Sequence, residues 1–270
     1  MGILLALPLF LLAGFCLPLF PLSIGINRFV QRPPAATADW LAQPVAKAAV
    51  LVALPLLGVA LVVAGRWLLG DAGGWLVTAF AAWGGLTSLL YAFRLLSTRD
   101  GQIWIGQLYT SALALVWVGV AHDVPPLLPA LGLSLSLLPL WFLLDGLTRR
   151  FGIARTGLYP GLGLRMPRFS ALFVAAVLVA VAVPFSPGFF AIADLAFGGV
   201  GANELLTLVP LSLAWLLWTW AGINLLTGIV FGSPRDDLDY PDLDARAMLV
   251  HGGAMGALAM FGLVLVEVVL

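Results

Sequence analysis

Lysine is nearly missing from this chain. Lys47 is the sole lysine among 13 basic residues, and Asp, Glu, Lys and Arg together make up only 10% of 270 residues. An ordinary soluble domain carries about 25% charged residues, so the composition excludes one here. Cysteine is limited to Cys16, which rules out an internal disulfide and any cysteine-rich metal site. The two histidines, His122 and His251, are far apart, and each lies near the end of an apolar run with no ligand set around it. No metal or other cofactor is expected. A net charge of +0 offers nothing to nucleic acid. A Ser-His-acid constellation, a Gly-rich phosphate loop and a redox motif are all missing, so no enzymatic activity is expected of this chain alone.

What the chain has instead is apolar residues, 62% of the total. Apolar runs of about 20 residues recur along its whole length. The expectation is an all-α polytopic membrane protein, one transmembrane domain over 1–270 with about eight spans. They fall near 3–30, 44–64, 75–97, 103–121, 126–148, 168–199, 204–231 and 247–270. The first run lacks a basic n-region and a small-residue cleavage motif, so it is read as a mature helix rather than a signal peptide.

Two of these spans carry proline pairs. Pro18 and Pro21 interrupt the first, and Pro184 and Pro187, followed by Gly188, interrupt the sixth. Proline inside a helix removes an amide donor and clashes with the preceding turn. Open backbone at membrane depth is tolerated only inside protein or beside a wet cavity. The pairs therefore predict two broken helices, either independent proline kinks or related elements, one from each half of an inverted repeat as in ion transporters. In such transporters the breaks hold charges near the midplane; here they hold almost none.

The basic residues set the orientation. Numbering the loops in order, the odd ones hold Arg28, Arg32, Lys47, Arg94, Arg99, Arg149, Arg150, Arg155, Arg165, Arg168, Arg235 and Arg246, and the even ones only Arg66. Odd loops are placed in the cytoplasm and both termini outside a cytoplasmic (inner) membrane. A few polar residues inside spans are candidates for an ion path or polar core. Asp194 follows the second break. Asp145 has Arg149 four residues away as a partner. Lys47, in the first turns of its span, is expected to snorkel to the interface. Gln107 and Asn224 are expected to hydrogen-bond between helices. Glu204 reads as an acid favoured at a helix start. Trp215, Trp218 and Trp220 are expected to mark an interface or face lipid. Gly252 and Gly256 are expected to let helices pack closely.

The order of segments resembles the antiporter-like membrane subunits of respiratory NADH:quinone oxidoreductase, a fold shared by multisubunit cation/proton antiporters and membrane-bound hydrogenases. GLGLRMPRFSALFVAAVLVAVAVPFSPGFF at 161–190 is similar to that family's loop, Met-Pro, apolar run and Pro-rich helix break. Phe20, Pro21 and Leu22 match its first break, Arg99 and Asp100 its junction, WFLLDG at 141–146 a further element, and Phe231, Gly232 the close of a long span. The chain looks like the second part of a full-length member. Lysines or a histidine of the family's ion path fall at Cys16, Gln102, Ser134, Leu138 and near Ile192.

The resemblance implies partners among other integral membrane subunits of one complex, with protons or monovalent cations as the ions served. The expected role is a non-catalytic structural or coupling subunit. Two alternatives stand beside it: translocation through the remaining acids and water, and service as membrane partner of a large peripheral protein, as in inorganic-carbon uptake.

Overall fold

The computed structural model describes residues 2–31, 43–198, 204–234 and 241–269. Among them the chain is helical throughout, apart from turns and one antiparallel bridge pairing Asp100 with Arg155. α1 (Gly2–Cys16) and α2 (Ser23–Gln31) flank the first break. α3 (Pro44–Leu69) leads through a 3-10 turn to α4 (Gly74–Ser97). α5 (Gly101–Ala114) and α6 (Val116–Val120) form one apolar stretch that bends at Leu115, and α7 (Leu127–Phe151) follows. The one-turn α8 (Leu162–Arg165) precedes α9 (Pro167–Ala180) and α10 (Pro187–Gly198), which flank the second break. α11 (Glu204–Ile229) and α12 (Ala245–Val269) complete the bundle.

Six helical stretches are long and apolar enough to cross a membrane, and α1, α9 and α10 are shorter apolar helices. The protein is thus an all-α polytopic membrane protein, as its composition requires. Helices satisfy their own backbone, the condition for spanning hydrocarbon. Their ends follow local chemistry. Pro44 and Pro167 open α3 and α9, where a missing N–H is harmless. The Asp100 carboxylate caps α5 by accepting from Gln102 N (2.8 Å) and Ile103 N (3.2 Å). Gly152, at φ 83°, closes α7.

The core forms where glycines bring helices together. A Cβ at Gly65 of α3 would lie 2.5 Å from the Phe10 ring of α1. A Cβ at Gly84 of α4 would lie 2.5 Å from the Ala114 carbonyl, beside the α5–α6 bend. Phe10, Phe80 and Trp117 pack together edge-on or tilted, with ring centroids 5.1–6.0 Å apart.

Two expectations are corrected. A Cβ at Gly256 would meet nothing within 4 Å, and one at Gly252 would meet only Leu172, at 3.9 Å. The close approach of α12 is at Gly262, where a Cβ would stand 2.2 Å from the Phe185 carbonyl. Lys47 does not snorkel. It is 3% exposed, because it shares the inward face of α3 with Leu51, Pro55, Gly58 and Val62.

Candidate functional site at the two helix breaks

Proline opens the backbone of each discontinuous element, and neighbouring side chains close it. At the first break, residues 17–22, the Leu17 carbonyl accepts from the Trp117 indole at 3.0 Å and the Phe20 carbonyl from the Trp83 indole at 2.6 Å. Phe20 N donates to Thr87 Oγ1 at 3.2 Å, and Ser23 Oγ lies 2.8 Å from Tyr91 OH. At the second break, residues 181–186, the Val181 carbonyl accepts from the Trp215 indole at 3.0 Å. Gly188 N donates to Ser136 Oγ at 2.8 Å, and Phe189 N to Ser186 Oγ at 3.2 Å. Pro187 is the first residue of α10, so the interruption itself centres on Pro184. Ala182 and Phe185 take positive φ (60° and 72°), a strained geometry for non-glycine residues.

Further neutral groups lie on the helices that close the breaks. Next to Thr87 on α4, Ser88 Oγ lies 3.2 Å from Ser111 Oγ of α5. Ser111 donates to the Ser88 carbonyl (2.7 Å) and accepts from the Trp218 indole of α11 (2.8 Å). Trp218 and Trp215 share one face of α11, and Trp215 reaches Val181. The side chains involved are hydroxyls and indoles throughout. Such groups hold a backbone open without carrying charge, and a buried indole N–H gains from an acceptor, here a carbonyl or a serine hydroxyl.

The charged candidates lie apart from these groups. Asp145, with its side chain 7% exposed, is held by Arg149 at 2.7 Å on the same helix. Asp194 is half-buried, two turns into α10. Gln107 is half-buried and its Oε1 accepts from Thr98 Oγ1 at 2.7 Å. Asn224, expected between helices, lies on the exposed side of α11 because its neighbours Ala221 and Leu225 take the inward positions. Lys47 sits one turn from Leu51, whose carbonyl accepts from Tyr109 OH at 2.7 Å. Leu51, Tyr109, Ser134, Leu138 and Trp141 line a cavity of about 10 Å³, room for about one water. Cys16, Ser134 and Ile192 are all buried. Glu204 begins α11, with its side chain outside the described residues. Among the described residues no group of three or more His, Cys, Asp or Glu could hold a metal.

Sequence reasoning missed the tryptophans. Trp218 is fully buried and Trp215 half-buried; of the three on α11, only Trp220, 63% exposed, faces outward as expected. Trp83 lies near the middle of α4, and that position is the signal that could have found it; Trp117 sits in the last turn of its span, where the sequence carries no such signal.

The fold and this site define the class: a polytopic membrane protein built around two discontinuous helices. Solved structures place that class more narrowly. A chain of respiratory complex I from Thermus thermophilus with bound NADH is 20% identical, with a TM-score of 0.81 over 97% of this chain and 55% of that one. A chain of the membrane-bound sulfane sulfur reductase, an archaeal respiratory membrane complex, is 14% identical, with a TM-score of 0.82 over 99% and 54%. A chain of the Mrp complex from Dietzia sp. DQ12-45-1b is 15% identical, with a TM-score of 0.70 over 83% and 41%. The chain therefore has the antiporter-like fold, and spans about half the length of these neighbours. An uncharacterized protein of Aquifex aeolicus is 23% identical over 159 residues, 59% of this chain and 65% of that protein. No family model matches the chain.

Proposed function

We propose that this protein is a non-catalytic structural or coupling subunit of a larger proton- or cation-translocating membrane complex. It works alongside other integral membrane subunits, in a cytoplasmic membrane, with eight crossings and both termini outside. The observation that carries the reading is the neutral closure of both breaks. A proton relay needs titratable groups poised by their neighbours. The side chains that close the breaks are hydroxyls and indoles, and the carboxylate on α7, Asp145, is paired with Arg149 at its helix end. Such a body transmits position between neighbouring subunits while passing no ion itself.

One observation favours a second reading, in which the chain still conducts. A lysine buried in the bilayer is expensive and marks an ion path by default. Lys47 is buried one turn from the cavity that Ser134 and Leu138 line, two positions where the resemblance implies a histidine and a lysine. In that reading α3 supplies the charge that α7 lacks.

The two readings separate in the assembled complex. Lys47→Gln and Asp194→Asn should each leave driven proton uptake unchanged. A loss greater than about tenfold, which is about 1.4 kcal/mol of barrier, with the complex still assembled, would establish the conducting reading instead.

A further inference from the structure

At the basic end of the bundle, α7, α9 and α12 line a cleft of about 100 Å³. Its walls include Phe142, Leu147, Phe169 and Leu243, and Arg150 and His251 line it beside them. Arg150 donates one N–H to the Pro241 carbonyl, and its other N–H groups have no partner among the described residues. His251 Nδ1 bonds the Ala247 carbonyl at 2.8 Å, which leaves Nε2 without a partner among the same residues. The carboxylates nearby among the described residues are engaged elsewhere. Asp242 accepts from the first amides of α9, Asp244 from Ala247 N at 2.9 Å, and Asp145 from Arg149. Phe142, Gly146 and Arg150 recur at four-residue spacing on one face of α7, and the last two are exposed, so the cleft opens outward there. The adjoining helix, α12, is only 11% buried over its span and leaves an apolar surface beside the opening.

We propose that this cleft holds one phospholipid with an anionic headgroup. Its phosphate sits on Arg150 and His251, and an acyl chain runs into the apolar wedge beside α12. Each half of the site argues against a simpler ligand. A free anion would leave the apolar walls unfilled. A neutral lipid would bring no net charge to a guanidinium that has no carboxylate partner among the described residues and whose fork geometry suits phosphate. Basic pockets between membrane helices favour anionic headgroups on the same grounds.

Native mass spectrometry of the full chain, titrated in detergent with phosphatidylglycerol or phosphatidylcholine, tests this. The wild type should retain one phosphatidylglycerol in preference to phosphatidylcholine. Arg150→Gln should weaken that binding about fivefold to tenfold, the worth of one charge-assisted phosphate contact. Gly146→Phe provides a second test that keeps the arginine. A Cβ at Gly146 meets nothing within 4 Å, so the ring can fill the opening without disturbing the fold. It should exclude the lipid from a chain with unchanged thermal stability. Equal retention of the two lipids, or no effect of either variant, would overturn the proposal. So would displacement of the lipid by millimolar inorganic phosphate, which would make this an anion site. A subunit that copurifies and blocks lipid binding would make it a protein interface and overturn it equally.

Discussion

Asp242 shows what a single carboxylate does in a chain with so few. Burial pushes its pKa up, but amides of Arg168 (2.9 Å), Phe169 (3.0 Å) and Leu243 (2.7 Å), with the Arg168 guanidinium, outweigh that and hold it below the usual carboxylate range. It thereby caps α9 from a distant loop. A carboxylate with a lowered folded pKa stabilises fully above its unfolded pKa and loses that contribution as pH falls through the folded one. Asp242→Ala should therefore lower stability by about 1 kcal/mol at neutral pH. The difference from wild type should vanish in thermal melts taken well below pH 4, the ordinary Asp range. The break tryptophans make a second case. Trp117→Phe keeps the ring but leaves the Leu17 carbonyl unpaired, which costs about 1–3 kcal/mol; Trp220→Phe, on an exposed face, should stay within about 0.5 kcal/mol. Denaturant titration in mixed micelles would compare the two. The breaks were legible because proline chemistry is local to Pro18, Pro21 and Pro184. Their partners were not. Trp117 lies 100 residues from Leu17, and nothing in the sequence around either residue records the other.

Among whole elements, α12 is the least committed to the bundle. Its span is 11% buried, against 89% for the stretch from Gly101 to Val120. The Gly252–Gly256 spacing read as a packing motif, yet close approach depends on what lies opposite, and nothing lies opposite Gly256. Gly262 is where α12 meets the second break, against the Phe185 carbonyl. Gly262→Ala should push the two apart and destabilise by about 1–3 kcal/mol, as overpacking does. Gly256→Ala should be neutral or stabilising by up to about 1 kcal/mol through helix propensity. Proteolysis of α12 in detergent should rise in the first variant only. The buried lysine was hidden for a related reason. The first turn of a span ordinarily meets the interface, and only the inward face shared with Leu51 and Pro55 shows that Lys47 does not.

At the scale of the molecule, the question is what covers the second break. Strained, non-helical backbone should not stand bare in hydrocarbon. Trp215, Ser136 and Gly262 cover the inner side of residues 181–188, but Phe185 projects outward, 62% exposed, with Val183 37% exposed beside it. The chain's structural neighbours are about twice its length and come from multisubunit complexes. In the proposed role, this open side would lie against another membrane subunit. A photoreactive phenylalanine analogue in place of Phe185 tests it, since the ring it replaces points away from the bundle. In native membranes it should cross-link to one other integral membrane protein, with little lipid adduct. In the purified chain it should cross-link to lipid or detergent alone. Lipid adducts only, in native membranes, would mean that this face looks onto the bilayer and that the break is held by its own tryptophans and serines without a neighbour.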